Sequence, residues 1–126
     1  MMQAFLLVDL SGELAFDKPI LKMVRQHAPA IPVFDVDAGS DATLQHYAVR
    51  LLQENPETVV YVKGGAGDLN RLIPLLEELL RPQPQRHIIL IGEHPRLLRL
   101  LQARPGIAYT LLADEEALRQ FLTKSI

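Results

Sequence analysis

The segment TVVYVKG (58–64) decides which fold the sequence favours. Residues 59–62 form an unbroken apolar stretch that contains three β-branched valines, which is typical of a strand buried on both faces. Such strands lie in the interior of a parallel sheet. At the edge of a sheet, the same residues would expose large apolar side chains to water. The segment therefore predicts a central strand.

Four further apolar runs of strand length accompany this one along the chain. They are AFLLVDL (4–10), IPVFDV (31–36), HIILIG (87–92) and IAYTLLA (107–113). Segments of helical periodicity separate them, near 18–27, 42–54 and 69–81, after Pro95, and after Asp114. Strict alternation of strands and helices with short connections predicts a parallel sheet with helices on both faces. At 126 residues, we expect a single α/β domain, 1–126.

The order of the strands can also be argued from the sequence. Pro32 lacks an N–H group, which confines it to an edge strand, a strand start or a bulge, and Thr110 interrupts the apolar run of the fifth strand. Edges at the second and fifth strands fit the order 2-1-3-4-5. The alternative order, 3-2-1-4-5, would place the apolar segment 59–62 at an edge, so we predict the first order.

Two helices have features that predict their packing. The helix near 42–54 is expected to bury one apolar face, formed by Leu44, Tyr47, Ala48, Leu51 and Leu52. Pro74 lies inside the apolar segment 69–81, which predicts a kink or a separate first turn. The helices after the third and fourth strands are unusually rich in leucine. We expect part of this apolar surface to stay exposed and to form a symmetric homodimer, with a broadly packed monomer as the alternative.

This arrangement resembles the flavodoxin-like fold that flavodoxins and response-regulator receiver domains share. The resemblance covers the whole chain at the level of the fold. It implies a three-layer α/β/α sandwich with a five-stranded parallel sheet in the order 2-1-3-4-5. Ligands of such folds bind where the strands end, at the carboxyl edge of the sheet.

The composition argues against several classes of partner. With 13 Lys and Arg against 15 Asp and Glu, the net charge of −2 gives no basic field for nucleic acid or an anionic membrane. The absence of cysteine excludes disulfides and thiolate metal sites. Asp9 interrupts the first apolar run, so the first residues do not match a signal peptide. We expect a cytoplasmic protein with no nucleic-acid or membrane partner.

Acidic residues concentrate at the predicted carboxyl edge. Eleven of the 15 acids fall there: Asp9, Glu13, Asp17, Asp35, Asp37, Asp41, Asp68, Glu93, Asp114, Glu115 and Glu116. One interpretation is a cation site, because Mg²⁺ binds through carboxylate oxygens, and its ligands would be Asp9, Asp35 and Asp37. The other, which we favour, is that most of these acids cap or begin helices, as expected for Asp17, Asp41, Asp68, Asp114, Glu115 and Glu116.

The segment FDVDAGSD (34–41) resembles the first motif of haloacid-dehalogenase-like phosphatases, in which two aspartates act as nucleophile and acid/base. The resemblance would give these roles to Asp35 and Asp37. In that family, however, the pair follows the first strand and continues with Gly-Thr, whereas here it follows the second strand and continues with Ala-Gly-Ser. We therefore favour a strand end followed by a helix that Asp41 caps.

The motifs of receiver domains and flavodoxins match poorly. Asp9 corresponds to one acid of the receiver metal group, but Lys63 stands where the resemblance requires the phosphoacceptor aspartate. Gly92 stands where receivers have Ser or Thr, and Ala113 or Asp114 where they have Lys. The loop after the first strand has a single serine, Ser11, for a flavin phosphate. We predict neither aspartyl phosphorylation nor flavin binding, and no cofactor.

The loop VKGGAGDL (62–69) is the best candidate for a ligand site. Its glycines would let backbone N–H groups approach an anion at the start of a helix, with Lys63 adding positive charge. In the predicted strand order this loop faces the loop after the first strand across a crevice. The candidate ligand-binding residues are Asp9, Ser11, Lys63, Gly64, Gly65 and Gly67. The other interpretation is a tight turn whose glycines need positive φ, with Lys63 paired to Asp9.

These observations leave two hypotheses for function. The first is a non-enzymatic protein-interaction or regulatory domain with a receiver-like architecture that lacks the phosphoacceptor, whose partner is another protein or a second copy. The alternative is a small-molecule phosphate- or nucleotide-binding domain, or an enzyme, that uses Asp9, Lys63 and the 64–67 loop. His94 lies at the same edge, where we expect a helix cap or a solvated position and not a general base.

Overall fold

Strands and helices alternate along the part of the chain that the structure, a computed structural model, describes: residues 2–12 and 18–125. The elements are β1 (Ala4–Asp9), α1 (Pro19–His27), β2 (Val33–Asp37), α2 (Ala42–Glu54), β3 (Thr58–Lys63), a 3₁₀ turn (Leu69–Leu72), α3 (Ile73–Leu79), β4 (His87–Ile91), α4 (Pro95–Gln102), β5 (Ala108–Leu112) and α5 (Glu115–Ser125). None of the helices in these ranges is long and apolar enough to cross a membrane. Glu13 and the predicted cap Asp17 lie outside the described residues.

The five strands form one parallel sheet in the order β2-β1-β3-β4-β5, as predicted. Every residue of β1 is buried, and so are all but the last of β3 and all but the first of β4. In β2 and β5, by contrast, most residues are only half-buried. The burial pattern agrees with the argument that placed the apolar segment 59–62 in the interior.

Side chains that alternate along the strands enter two separate apolar cores, one on each face of the sheet. The first core contains Val8 and Val60 with residues of α2, α3 and α4, including Leu52 and Leu97. The second contains Phe5, Leu7, Tyr61 and Ile89 with residues of α1 and α5, including Ile20, Val24, Leu118 and Leu122. Two helical layers therefore enclose the sheet, which is the expected α/β/α sandwich.

The predicted apolar face of α2 is partly wrong. The buried residues of this helix are Gln45, Ala48 and Leu52, whereas Leu44 and Tyr47 are 40% and 54% exposed. A buried glutamine is tolerated because its Nε2 donates to the carbonyl oxygens of Ser40, at 3.2 Å, and of Arg71, at 2.8 Å. Gln45, Ala48 and Leu52 thus form the buried face of the helix, and Leu44 and Tyr47 lie on its exposed side.

Pro74 divides the third helical segment, as predicted, because a 3₁₀ turn precedes α3. The leucines of this segment and of α4 lie largely inside the first core: Leu69, Leu72, Leu75, Leu76, Leu79, Leu80, Leu97 and Leu101. Along these two fully described segments, Ile73 is the one large apolar residue that is strongly exposed. Packing within the monomer thus accounts for most of the apolar surface on which the α3–α4 dimer hypothesis rests.

Candidate functional site

Three charged residues lie side by side where β2, β1 and β3 end. In the register of the sheet, Asp9 is opposite Asp37 on one side and Lys63 on the other. Their side chains leave the sheet on the α1–α5 face, because alternation along each strand places them on the same side as Leu7, Tyr61 and Val33, which belong to or pack against that core. The structure therefore brings Asp9 and Lys63 together, as the candidate site requires.

Asp9 is buried, with 6% of its surface exposed, and it organises the turn that follows β1. Its Oδ1 accepts hydrogen bonds from the backbone N–H of Ser11, at 2.9 Å, and from the Ser11 hydroxyl, at 2.6 Å. A carboxylate that accepts two such bonds compensates for part of its lost hydration. The contact fixes Ser11 over the end of β1, so Asp9 has a structural role in addition to any ligand that it binds.

The glycine loop, residues 64–67, lies between the loops that follow β1 and β4. The Gly64 N–H donates to the carbonyl oxygen of Ile91 at 2.6 Å, and the Gly67 N–H donates to that of Leu10 at 2.7 Å. The Leu10 N–H in turn donates to the carbonyl oxygen of Lys63 at 2.8 Å. Two of the amide groups that an anion would need are therefore already bound to protein carbonyls.

The expectation that these glycines need positive φ is wrong. Among the described residues, the glycines with positive φ are Gly12 and Gly92. The loop contains glycine for a different reason: a Cβ on Gly65 would lie 2.5 Å from the Ser11 Cα, and one on Gly64 would lie 2.9 Å from the Gly92 carbonyl carbon. Backbones of three loops are in direct contact there, and a side chain has no space.

The segment 34–41 behaves as a strand end and a helix start. The Lys18 ammonium forms an ion pair with Asp35 Oδ2 at 2.5 Å, and Asp37 Oδ1 accepts the N–H of Gly39 at 2.8 Å. Asp41 then caps α2 by accepting the N–H of Leu44 at 2.9 Å.

Within residues 2–12 and 18–125, no three acidic or histidine side chains are grouped so that they could hold a metal ion. Binding of Mg²⁺ by Asp9, Asp35 and Asp37 stays a prediction.

Two other acidic residues at the carboxyl edge cap the starts of helices, as expected. Asp68 Oδ1 accepts the N–H of Asn70 at the start of the 3₁₀ turn, and Asp114 Oδ1 accepts the N–H of Ala117 at the start of α5, both at 2.9 Å. Each bond satisfies a donor that the first turn of a helix leaves without a partner. The concentration of carboxylates at the carboxyl edge therefore follows in part from the number of helices that begin there.

A buried tyrosine beneath the site was not predicted from the sequence. Tyr61 is fully buried in β3, and its hydroxyl donates a hydrogen bond to Glu115 Oε2 at 2.7 Å. Burial raises the pKa of Tyr61, and the nearby carboxylates of Glu115 and Asp9 raise it further. The hydroxyl therefore keeps its proton and acts as a hydrogen-bond donor that ties β3 to α5. A tyrosine within an apolar run was the available signal, but Glu115 is 54 residues away in the sequence.

His94 caps α4, as expected, and also contacts the glycine loop. Its Nδ1 accepts the N–H of Leu97 at 3.2 Å, and its Nε2 lies 3.1 Å from the carbonyl oxygen of Gly67. Because the Leu97 N–H occupies Nδ1, the proton of the neutral ring must be on Nε2, where it donates to Gly67. Both ring nitrogens are engaged, which leaves no nitrogen available to act as a general base in this conformation.

A groove of about 350 Å³ lies elsewhere, between α2 and α3. It is lined by Ala42, His46, Val49, Gln53, Pro74, Glu77, Glu78 and Arg81. One of these residues, Glu78, accepts a hydrogen bond through its carbonyl oxygen from Nη1 of the buried Arg86 at 2.7 Å. Burial lowers the pKa of Arg86, an effect that the neighbouring Glu78 carboxylate opposes. Neither residue belongs to a motif that the sequence reveals.

The observed architecture can be compared with known proteins at two levels. A five-stranded parallel sheet in this order, with helices on both faces, is consistent with the flavodoxin-like fold. At the level of families and individual proteins, comparison of the chain with protein-family models, curated proteins and solved structures found no match.

Proposed function

We propose that the chain is a non-enzymatic protein-interaction or regulatory domain with a receiver-like architecture that lacks the phosphoacceptor. Its partner is another protein or a second copy of the chain. Lys63 ends β3, the central strand, where a receiver domain would have its phosphoacceptor aspartate. We also propose a cytoplasmic location, on the basis of the cysteine-free composition.

The observation that carries the proposal is the close packing of the crevice between β1 and β3. The backbone of the glycine loop is in direct contact with residues 10–11 on one side and 92–93 on the other. The amide of Gly64 binds the carbonyl oxygen of Ile91, the last residue of β4, and the amide of Gly67 binds that of Leu10. A phosphate would have to displace these bonds and would meet the buried carboxylate of Asp9, which opposes an anion.

A second candidate function has one observation in its favour. Asp9, Lys63, Tyr61 and Glu115 form a polar cluster beneath the carboxyl edge, where ligands of doubly wound folds bind. Such a cluster could position a small molecule that carries a phosphate group, with Lys63 as the cation. This alternative predicts a ligand whose binding depends on Lys63.

A thermal-unfolding panel separates the two functions. The protein is heated alone and with Mg²⁺, inorganic phosphate, ATP, GTP or flavin mononucleotide, and the midpoint of unfolding is compared. The interaction domain predicts the same midpoint throughout, because nothing in the panel binds the folded state preferentially. Incubation with acetyl phosphate should also leave the intact mass unchanged.

Matched lysine variants complete this panel. Lys63→Ala removes the cation of the candidate site, and Lys124→Ala removes an exposed lysine on α5. A ligand that raises the midpoint of the wild type and of Lys124→Ala, but not that of Lys63→Ala, would establish the small-molecule function and reject the proposed one.

A further inference from the structure

The two edge strands of the sheet differ in how they discourage pairing with another chain. Pro32 precedes β2, and Asp35 and Asp37 lie within it, so a second copy aligned there would bring like charges together. The edge strand β5 has the sequence AYTLL, without charge or proline. Its backbone pairs with β4 on one side, and it is the last strand of the sheet. An edge of this kind is open to a further strand.

A large apolar side chain on β5 is exposed in the monomer. Leu111 is opposite Leu90 in the register of the sheet and therefore faces the side of α2, α3 and α4, yet 52% of its surface is exposed. Tyr109 precedes it on the same face and is half-buried against the first core. A strand added beside β5 would cover Leu111.

We propose that two copies of the chain pair through β5 in an antiparallel, two-fold arrangement that joins their sheets into one. Centring the two-fold axis on Thr110 aligns all five residues of β5, since Ala108 then opposes Leu112 of the second copy. Tyr109 opposes Leu111 of that copy, an aromatic–aliphatic pair of the kind that stabilises sheets. The interface is the same patch on both subunits, as two-fold symmetry requires.

Charges at the two ends of β5 favour this direction and a second copy as the occupant. The exposed Arg104 lies before the strand, and the exposed Asp114 and Glu116 lie after it. An antiparallel pair brings the basic end of each copy next to the acidic end of the other, whereas a parallel pair would place like charges together. The strand and its flanks are thus complementary to themselves.

The oligomeric state tests this inference, which is independent of the proposed function because a small-molecule-binding domain could dimerise in the same way. Light scattering coupled to size exclusion should give twice 14.1 kDa for the wild type at high concentration. Leu111→Lys should give a monomer, since two ammonium groups would enter the interface. Leu44→Lys, at a comparably exposed leucine on α2, should leave the dimer intact.

A cysteine-free chain also permits a direct test of the register. Thr110→Cys places a cysteine on the two-fold axis, with Cα atoms about 5 Å apart, and mild oxidation should link the copies covalently. Ala108→Cys is the control, because its two copies would be ~14 Å apart along the strands and should not link. A monomeric wild type, a dimer that survives Leu111→Lys or is lost in Leu44→Lys, or cross-linking at residue 108 but not 110 would overturn the proposal.

Discussion

Three glycines at the carboxyl edge of the sheet allow close packing between loops. Gly64, Gly65 and Gly67 lie where the backbone of one loop touches two others, and none of the three has positive φ. A glycine-rich segment can indicate close contact between backbones, a residue with positive φ, or an anion site. The sequence does not distinguish these three reasons. The distinction depends on which loops face each other, and that follows only from the packed structure.

Replacing Gly65 with alanine should destabilise the protein by about 1–3 kcal/mol, the usual cost of forcing an extra carbon into packed structure. The new Cβ would lie 2.5 Å from the Ser11 Cα and 2.8 Å from the Leu10 carbonyl oxygen, both backbone atoms that cannot easily move. Urea unfolding, followed by circular dichroism, measures the change in the free energy of unfolding.

Gly39→Ala is the matched control for this prediction. Its Cβ would meet only a side-chain oxygen of Asp37, at 3.3 Å, which a small rotation can relieve. We expect a change clearly smaller than that of Gly65→Ala. Equal stabilities for the wild type and Gly65→Ala would show that the loops are not in contact.

His87 is a residue whose ionisation is linked to folding. Its Nε2 lies 2.7 Å from the Thr110 hydroxyl oxygen, and its ring centroid lies 5.2 Å from that of Phe121. Burial lowers the pKa of His87, because the charged imidazolium is poorly solvated there. The folded protein therefore takes up this proton less readily than the unfolded chain does.

Stability should consequently fall as the pH drops below about 6.5, the ordinary histidine value, towards the lowered pKa of His87. In that interval the unfolded state binds more protons than the folded state. Above it, the contribution of His87 is fully present. The variant His87→Gln, which cannot take up a proton, should show a shallower loss between about pH 7 and pH 5. Parallel pH dependences of the two unfolding free energies would contradict this assignment.

At the scale of elements, the sequence predicted most features that depend on local composition. Pro32 and the apolar segment 59–62 identified an edge and an interior strand, and Pro74 identified the break before α3. The buried face of α2 was predicted wrongly in part, because the spacing of apolar residues favoured Leu44 and Tyr47 over Gln45. Burial of a glutamine depends on carbonyl partners contributed by other segments, and the spacing of apolar residues contains no information about those.

A buried ion pair joins three elements on the α2–α4 side of the sheet. Arg86, 5% exposed and immediately before β4, lies with Nη1 3.9 Å from Glu78 Oε2 of α3 and with Nη2 3.5 Å from the Leu52 carbonyl oxygen of α2. Arg86→Ala should cost ~3–5 kcal/mol, since it leaves the buried Glu78 carboxylate without its buried partner and with only the exposed Arg81 nearby. Chemical denaturation measures the loss.

Arg81→Ala provides the comparison within the same cluster. Its side chain is 73% exposed and lies 3.7 Å from the same Glu78 oxygen. Removal of an exposed partner should change the free energy of unfolding by less than about 1 kcal/mol. If both alanine variants were equally mild, Arg86 would not hold these elements together.

At the scale of the whole molecule, topology determines which predictions of a site could succeed. The strand order follows from composition, and it brings Asp9 beside Lys63 in the register of the sheet. Whether the glycine amides are available to a ligand could not be predicted, because their partners are the carbonyl oxygens of Leu10, which follows β1, and of Ile91, the last residue of β4. The contact of Tyr61 with Glu115 was unpredictable for the same reason.

The central claim is that the crevice between β1 and β3 is occupied by the protein's own backbone. Amide hydrogen exchange at Gly64 and Gly67, followed by nuclear magnetic resonance, tests it most directly. We predict slow exchange, comparable with that of the buried strands and unchanged by phosphate or nucleotides, because both amides bind carbonyl oxygens. Rapid exchange in the free protein that becomes slow when phosphate or a nucleotide is added would contradict the claim and identify the loop as an anion site.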